Sequence, residues 1–409
     1  MYRRYLSSAL EAALADTRVV LLNGARQVGK STLARRLADE RGGQYQTLDD
    51  PAVAAAAQAD PGAFVQAAGD FAVIDEVQLV PGLFAAIKRV VDRDPRPGRF
   101  LLTGSANVFM LPRVAESLAG RMQVLTLQPL AQSEIADSGH NIVDALFGGG
   151  AWTLRTVPTD KADLARRVVT GGFPEVLGRA DPERRAAWFG AYLASLLQRD
   201  VRDMAHIEGL RDLPRLLGLL AARTGGLMNV SEVARTAAIA DTTLRRYLGL
   251  LEAAFIVQPL AAWSANLGKR LVKAPKLHLL DTGLAAHLQG GPDPAALVAS
   301  PQFSPLVEAF VVQEVRRQLG WSRVRASAWH FRTAAGREVD LVLERGDGHI
   351  VGIEVKSGSS LRPADAAGLA ALAEATGERF VRGVVMYAGD QLLPLGQKIW
   401  AVPLGVFWA

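Results

Sequence analysis

A chain of 409 residues, 49% of them hydrophobic and 21% charged, has the balance of folded globular domains and exceeds what one hydrophobic core usually serves. It has no cysteine, which excludes disulfides, thiolate zinc sites and cysteine nucleophiles, and its six histidines form no pair at helical metal-ligand spacing. The net charge of +5 permits a nucleic-acid partner without demanding one, while Glu11 and Asp16 interrupt any export signal and the most apolar stretch, Ala186 to Leu197, is too short for a bilayer. A cytoplasmic protein with no membrane association is expected.

Up to about Leu130, short apolar runs alternate with helical segments, the pattern of a parallel sheet covered by helices. Strands are predicted at Val19 to Leu22, Gln44 to Leu48, Phe71 to Ile74, Phe100 to Thr103 and Gln123 to Leu127, with helices between them beginning at Lys30 to Glu40. Residues 131–207 read as a helical connecting region or lid, interrupted by Gly148-Gly149-Gly150 and Gly171-Gly172-Phe173-Pro174. Residues 208–290 then give three short helices and two strands, Ile256 to Leu260 and Lys276 to Leu280, in the order of a winged helix. Ser231 is expected to cap the second of these helices, and Asp241 or Thr242 the third. Gly290 to Pro294 reads as a linker. In residues 291–409 a helix from Leu306 to Leu319 precedes a hairpin, Glu338 to Glu344 and Ile350 to Lys356, turning at Arg345-Gly346-Asp347-Gly348. The result is an α/β chain of four parts, the first of which, residues 1–130, holds the parallel sheet.

Chemistry is concentrated in Gly24-Ala25-Arg26-Gln27-Val28-Gly29-Lys30-Ser31, followed by Thr32. A glycine-rich loop that follows an apolar strand and opens a helix meets phosphate charge with bare backbone N–H groups and a positive helix end. In that setting Lys30 reaches the terminal phosphates and the Ser31 hydroxyl ligates magnesium. Phe71-Ala72-Val73-Ile74-Asp75-Glu76 supplies the second half. A buried strand ending in two acids places Asp75 to hold the magnesium shell and Glu76 to polarise the attacking water. ATP and Mg2+ are the expected ligands. Thr103 and Ser105, after the fourth strand, stand where a sensor of the terminal phosphate would lie. Arg121 reads equally as a surface residue or as an arginine finger reaching a neighbouring subunit, which would imply a homo-oligomer.

These motifs resemble those of bacterial and archaeal AAA+ type P-loop ATPases with a C-terminal winged helix and a PD-(D/E)xK nuclease-like domain. The residues that carry the resemblance are Gly24 to Thr32, Leu48-Asp49-Asp50-Pro51, Ile74 to Gln78, Leu101 to Ser105, Ser117 to Arg121, Gly171 to Glu175, Arg199-Asp200-Val201 and Glu338 to Lys356, so it spans nearly the whole chain. It implies Glu76 as hydrolytic base, Thr103 or Ser105 as sensor, a winged helix over 208–290 and a restriction-endonuclease-like mixed α/β domain over 291–409.

Glu354 and Lys356 stand two apart on one strand face, and Asp340 lies on the partner strand. Two acids and a lysine so grouped suit magnesium-assisted phosphodiester cleavage, the acids holding the metal and the lysine positioning water. The nuclease resemblance adds Glu308, on the preceding helix, as a further metal ligand, and Val339 stands where the motif's proline would be. For DNA, Arg245 and Arg246 lie on the third helix with Tyr247, and Lys269, Arg270, Lys273 and Lys276 lie on the hairpin loop. The preferred reading is a magnesium-dependent ATPase acting on DNA, with metal-dependent nuclease activity as a second function. The alternative is a nucleotide-controlled switch or DNA-binding regulator with an inactive nuclease fold.

Overall fold

Strand β1 (Val19–Asn23) is buried along its whole length, as are β3 (Ala72–Asp75) and β4 (Phe100–Gly104). Such unbroken apolar runs are what a parallel sheet covered on both faces demands. In the computed structural model they form, with β2 (Gln44–Thr47) and β5 (Met122–Thr126), a five-stranded sheet of order β2-β3-β4-β1-β5 in which every pair is parallel. The structure describes residues 2–105, 118–149, 154–198, 212–266, 268, 270 and 273–409. Ser117, Lys269 and Arg199-Asp200-Val201 therefore lie outside the described residues. The amphipathic helix Gly82–Arg93 lays Phe84, Ile87 and Val91 on Val19, Ile74, Phe100 and Leu102 of the sheet. The parallel pairing puts the C-terminal ends of β1, β3 and β4 side by side, where open α/β sheets bind ligands.

The chain divides into two units, one made of Arg4–Gln128 with Leu250–Ile256 and the other chiefly of Pro129–Gly249 and Val257–Ala409. In the second, helices Leu213–Ala222 and Val230–Ala237 precede Asp241–Ala253, whose last turn falls in the first unit. Strands β6 (Val257–Leu260) and β7 (Lys276–Leu279) then pair antiparallel. Asn229, not Ser231, caps the second of these helices, accepting the Glu232 N–H at 3.1 Å. Ser231 stands inside the helix and bonds Asp241 at 2.8 Å, because the helix starts one residue before it. Gly290 to Pro294, expected as a linker, turns between helices Thr282–Leu288 and Pro294–Ala299, and both sides belong to one unit.

A second sheet has the order β12-β13-β11-β10-β9-β8. Its strands are β8 (Ala326–Arg332), β9 (Glu338–Arg345), β10 (Ile350–Lys356), β11 (Phe380–Tyr387), β12 (Leu393–Gly396) and β13 (Ile399–Pro403). β8, β9 and β10 form an antiparallel meander, and helix Ala367–Thr376 carries the crossover from β10 to its parallel neighbour β11. Leu369 and Leu372 of that helix pack on Val339, Val342 and Ile350.

Helix Phe303–Leu319 is held by buried charge. Arg317 donates to Asp281 at 2.9 Å, to Glu314 at 2.7 Å and to Leu130 O at 3.0 Å. Glu314 accepts the Gln132 N–H at 2.7 Å, and Asp281 accepts the Gly172 N–H at 2.7 Å. Gly171 has φ +70°, and a Cβ on it would overlap the Asp281 carboxylate. That close approach is why the Gly171-Gly172 pair stands there. No helix among the described residues is long and apolar enough to cross a membrane.

Candidate functional site

The loop after β1 turns through left-handed backbone at Gly24 (φ +142°), Gln27 (φ +65°) and Gly29 (φ +97°) before helix Lys30–Arg41 begins. A Cβ on Gly24 would overlap Leu127 O, so only glycine fits there. The helix start has no side-chain cap, which leaves its first N–H groups for a ligand. Lys30 is buried and reaches back across the loop to Ala25 O at 2.8 Å. Arg26 is half-buried and Thr32 exposed.

Asp75 organises the other side. Its Oδ1 accepts hydroxyls from Ser31 at 3.1 Å and from Thr103, and its Oδ2 accepts Tyr45 OH at 2.6 Å. Burial first, then the bond and charge of Asp75, push the Tyr45 phenol up to about 12, so it stays a donor. Glu76 sits at φ +57°, a conformation that costs on the order of 1 kcal/mol for a residue with a side chain. Its N–H donates to the Thr103 hydroxyl at 3.1 Å, and Gln78 Nε2 bridges the Glu76 carboxylate and Ser105 Oγ, the latter at 3.1 Å. Ser31 and Asp75 thus converge as oxygen ligands suited to Mg2+, and the donor set fits the ion.

Three members of this site were given no role from the sequence. Tyr45 and Gln78 are two, and Arg4 is the third: buried, it donates to Val28 O and to Gln128 O, both at 2.7 Å, and so ties the loop to the end of the sheet. Alternation along β2 could have pointed to Tyr45, whereas nothing local marks Arg4. Arg121 is ion-paired with Asp92 and donates to Ala119 O at 3.0 Å. It lies at the N-terminal end of the sheet, where its carbonyl accepts the Val19 N–H, whereas the loop follows Asn23 at the other end of β1, so Arg121 does not reach its own chain's phosphates.

The C-terminal acids also come together, with a difference. The β9–β10 ladder runs to Ile353 opposite Leu341, and beyond it the Asp340 carboxylate itself accepts the Val355 N–H at 2.9 Å. Lys356 pairs with Glu354 at 2.8 Å. The position expected for a metal holds an ammonium instead: Lys276, 3% exposed, lies 2.7 Å from Glu308, 2.6 Å from Glu338 and 3.0 Å from Asp340. Burial alone would lower that ammonium, but the charges of Asp340, Glu308 and Glu338 outweigh it and raise it above the usual lysine range. Burial and the Asp340 charge push Glu308 up to about 8 and Glu354 to about 7. Among the described residues no group of three or more His, Cys, Asp and Glu side chains is arranged to hold a metal ion. Sequence placed Lys276 among the basic residues of the hairpin loop, but folding turns it inward because three acids wait there.

The remaining basic residues divide. Arg245 and Arg246 are exposed, as is Lys273, whose Nζ lies 3.3 Å from Arg332 O. Arg270 is engaged, forked onto Glu344 at 2.6 and 3.0 Å and stacked over Trp263 and Trp329.

An AAA domain matches residues 16–136, and domains of unknown function match 161–295 (DUF8612) and 303–407 (DUF4143). The uncharacterized proteins Rv2008c of Mycobacterium tuberculosis and Mb2031c of Mycobacterium bovis are each 32% identical over 402 residues, covering 98% of this chain and 83% of theirs. The chain belongs to their family. Its AAA match makes the first unit an AAA-type P-loop domain and supports nucleotide binding and hydrolysis. Among solved structures, the Holliday junction branch migration motor RuvB of Thermotoga maritima is 21% identical, covering 62% of this chain and 86% of that one, with a TM-score of 0.29. AMPPCP-bound DnaA from Aquifex aeolicus is 15% identical over 60% and 85%, with a TM-score of 0.30. Overlaps this slight say nothing of what the chain binds.

Proposed function

We propose that this chain is a magnesium-dependent ATPase that couples hydrolysis to contact with DNA. The observation that carries the reading is the shared carboxylate of Asp75, which takes the Ser31 hydroxyl from the loop and the Thr103 hydroxyl from β4, while Thr103 also holds the Glu76 backbone. One side chain thereby ties the phosphate loop, the catalytic acid and the sensor strand together. Lys30 leaves Ala25 O for the terminal phosphates, the loop amides and helix start take the remaining phosphate charge, and Ser31 and Asp75 hold the cation. Bound Mg2+ offsets charge on the phosphates. Glu76 takes a proton from the attacking water, Thr103 relays the state of the site to the Glu76 backbone, and Gln78 keeps the Glu76 carboxylate and Ser105 in register.

The test is kinetic. Lys30→Ala is expected to abolish tight ATP binding or turnover. Glu76→Gln is expected to keep binding and lose hydrolysis by roughly 10²- to 10⁴-fold, the usual contribution of a general base. Full turnover in Glu76→Gln would reassign the base.

The DNA half of the reading rests on three helices followed by an antiparallel strand pair, the order of a winged helix, with Arg245 and Arg246 exposed on the third helix and Lys273 beyond it. Fluorescence anisotropy should then show binding that weakens steeply with salt, as released counterions require, and that falls when Arg245 and Arg246 are both Ala. No binding at low salt to single- or double-stranded DNA would favour the nucleotide-controlled regulator.

A further inference from the structure

We propose that Lys276 is a built-in counter-ion that takes the place of a divalent metal among Glu308, Glu338 and Asp340, so that the second sheet carries an acidic cluster closed to catalytic cations. The inference is independent of ATP chemistry. Three observations carry it.

The first is saturation. An ammonium has three protons, and three carboxylates from two different elements, helix Phe303–Leu319 and β9, lie at 2.7, 2.6 and 3.0 Å from Nζ. Both oxygens of Asp340 are already engaged, Oδ1 by Lys276 and Oδ2 by the Val355 N–H at 2.9 Å. A magnesium ion needs an octahedron of oxygens at about 2.0–2.1 Å, and here the same oxygens already surround a fixed positive charge.

The second is anchorage. Lys276 is not on a swinging loop. It opens β7, opposite Leu260 of β6, and bridges to Leu227 on its other side. Leu277 exchanges two backbone bonds with the Gly225-Gly226 turn, at 2.7 and 2.9 Å, and Gln313 donates to Leu279 O. The whole lysine is 2% exposed.

The third is the remainder of the cluster. Lys356 holds one oxygen of Glu354 at 2.8 Å, and the other oxygen is buried without a hydrogen-bond partner. One oxygen makes no ion cage.

Iron-directed backbone cleavage of the full chain tests this. Fe2+ with ascorbate and peroxide cuts a chain beside any site that takes a divalent ion. Wild-type protein should show no cuts near 308, 340 and 354, while added ATP should produce cuts around Ser31 and Asp75, an internal control that fails separately if the nucleotide reading is wrong. Lys276→Met keeps the apolar stem and removes the charge, so it should acquire cuts at 340 and 354. Mn2+ should then raise its thermal midpoint by several degrees, as ligand linkage requires, and leave wild type unmoved. Lys276→Arg should behave as wild type. Cuts at 340 or 354 in wild type that vanish in Asp340→Asn would overturn the proposal, as would a folded Lys276→Met that takes no Mn2+. If Lys276→Met does not fold, the wild-type cleavage map alone decides.

Discussion

Asp75 accepts three hydroxyls at once, from Ser31, Thr103 and Tyr45, and each of them restricts where its carboxylate can point. Tyr45→Phe removes one bond to a charged acceptor without changing shape, a loss of about 1.5–3 kcal/mol in such settings. The expected result is a several-fold rise in the Mg2+ concentration for half-maximal ATPase activity, with turnover at saturating Mg2+ little changed; an unchanged Mg2+ titration would remove Tyr45 from the site. Arg4 acts on the loop in a similar way. Because lysine has no fork to span Val28 O and Gln128 O together, Arg4→Lys should raise the KM for ATP almost as much as Arg4→Ala. His330 carries a pH signature: burial, above all, holds its imidazole down to about 4, with Lys276 and Lys273 adding to this against the Ala274 carbonyl and Glu338. Between about 6.5 and 4 the unfolded chain binds a proton that the folded chain refuses, so stability is present above that window and falls as pH drops through it. Relative to His330→Gln, wild type should lose on the order of 2 kcal/mol more between pH 7 and 5 in urea titrations. Taking the difference cancels the buried glutamates Glu308, Glu314 and Glu354, which titrate in the opposite sense.

Elements here are joined by buried polar bonds where side-chain packing alone would not specify them. The Gly171-Gly172 corner after helix Lys161–Thr170 brings backbone against Asp281, which in turn caps helix Thr282–Leu288 through the Gly283 and Leu284 N–H groups at 2.9 and 3.2 Å. Arg317 closes the group from helix Phe303–Leu319. Gly171→Ala introduces a Cβ into the Asp281 carboxylate and a strained positive φ together. It is expected to lower the thermal midpoint by several degrees or prevent folding, whereas Gly149→Ala, whose neighbourhood is open, should be silent. Equal midpoints for the two variants would show that the corner is not needed.

At the scale of the molecule, Arg121 decides whether one chain is a complete enzyme. It stands at the end of the sheet away from its own phosphate loop and is ion-paired with Asp92. A role in catalysis therefore requires a second copy to receive it and release of that ion pair. If it serves so, specific ATPase activity rises with protein concentration and Arg121→Ala loses at least about 10³-fold in turnover with ATP binding retained, the scale of an arginine finger. Activity independent of concentration, with Arg121→Ala unaffected, would leave it a surface residue paired to Asp92.

Local physics settled a good deal from the sequence by itself. Strand β1, the glycine turns and Lys30-Ser31 are one contiguous segment whose backbone chemistry needs nothing distant, so the phosphate loop was legible residue by residue. The parallel sheet was legible too, since β1, β3 and β4 are buried on both faces and read as unbroken apolar runs. Boundaries slipped by a residue where a strand's end depends on its neighbour: Asp75 falls inside β3, opposite Thr47. What tertiary structure alone decided are the contacts made across long stretches of chain. Arg4 meets Gln128, Tyr45 meets Asp75, and Lys276 leaves a run of loop-like basic residues to sit among Glu308, Glu338 and Asp340. The charge of a side chain is written in its letter, but whether it faces water or three buried carboxylates depends on which segments folding brings beside it, and no local pattern encodes that.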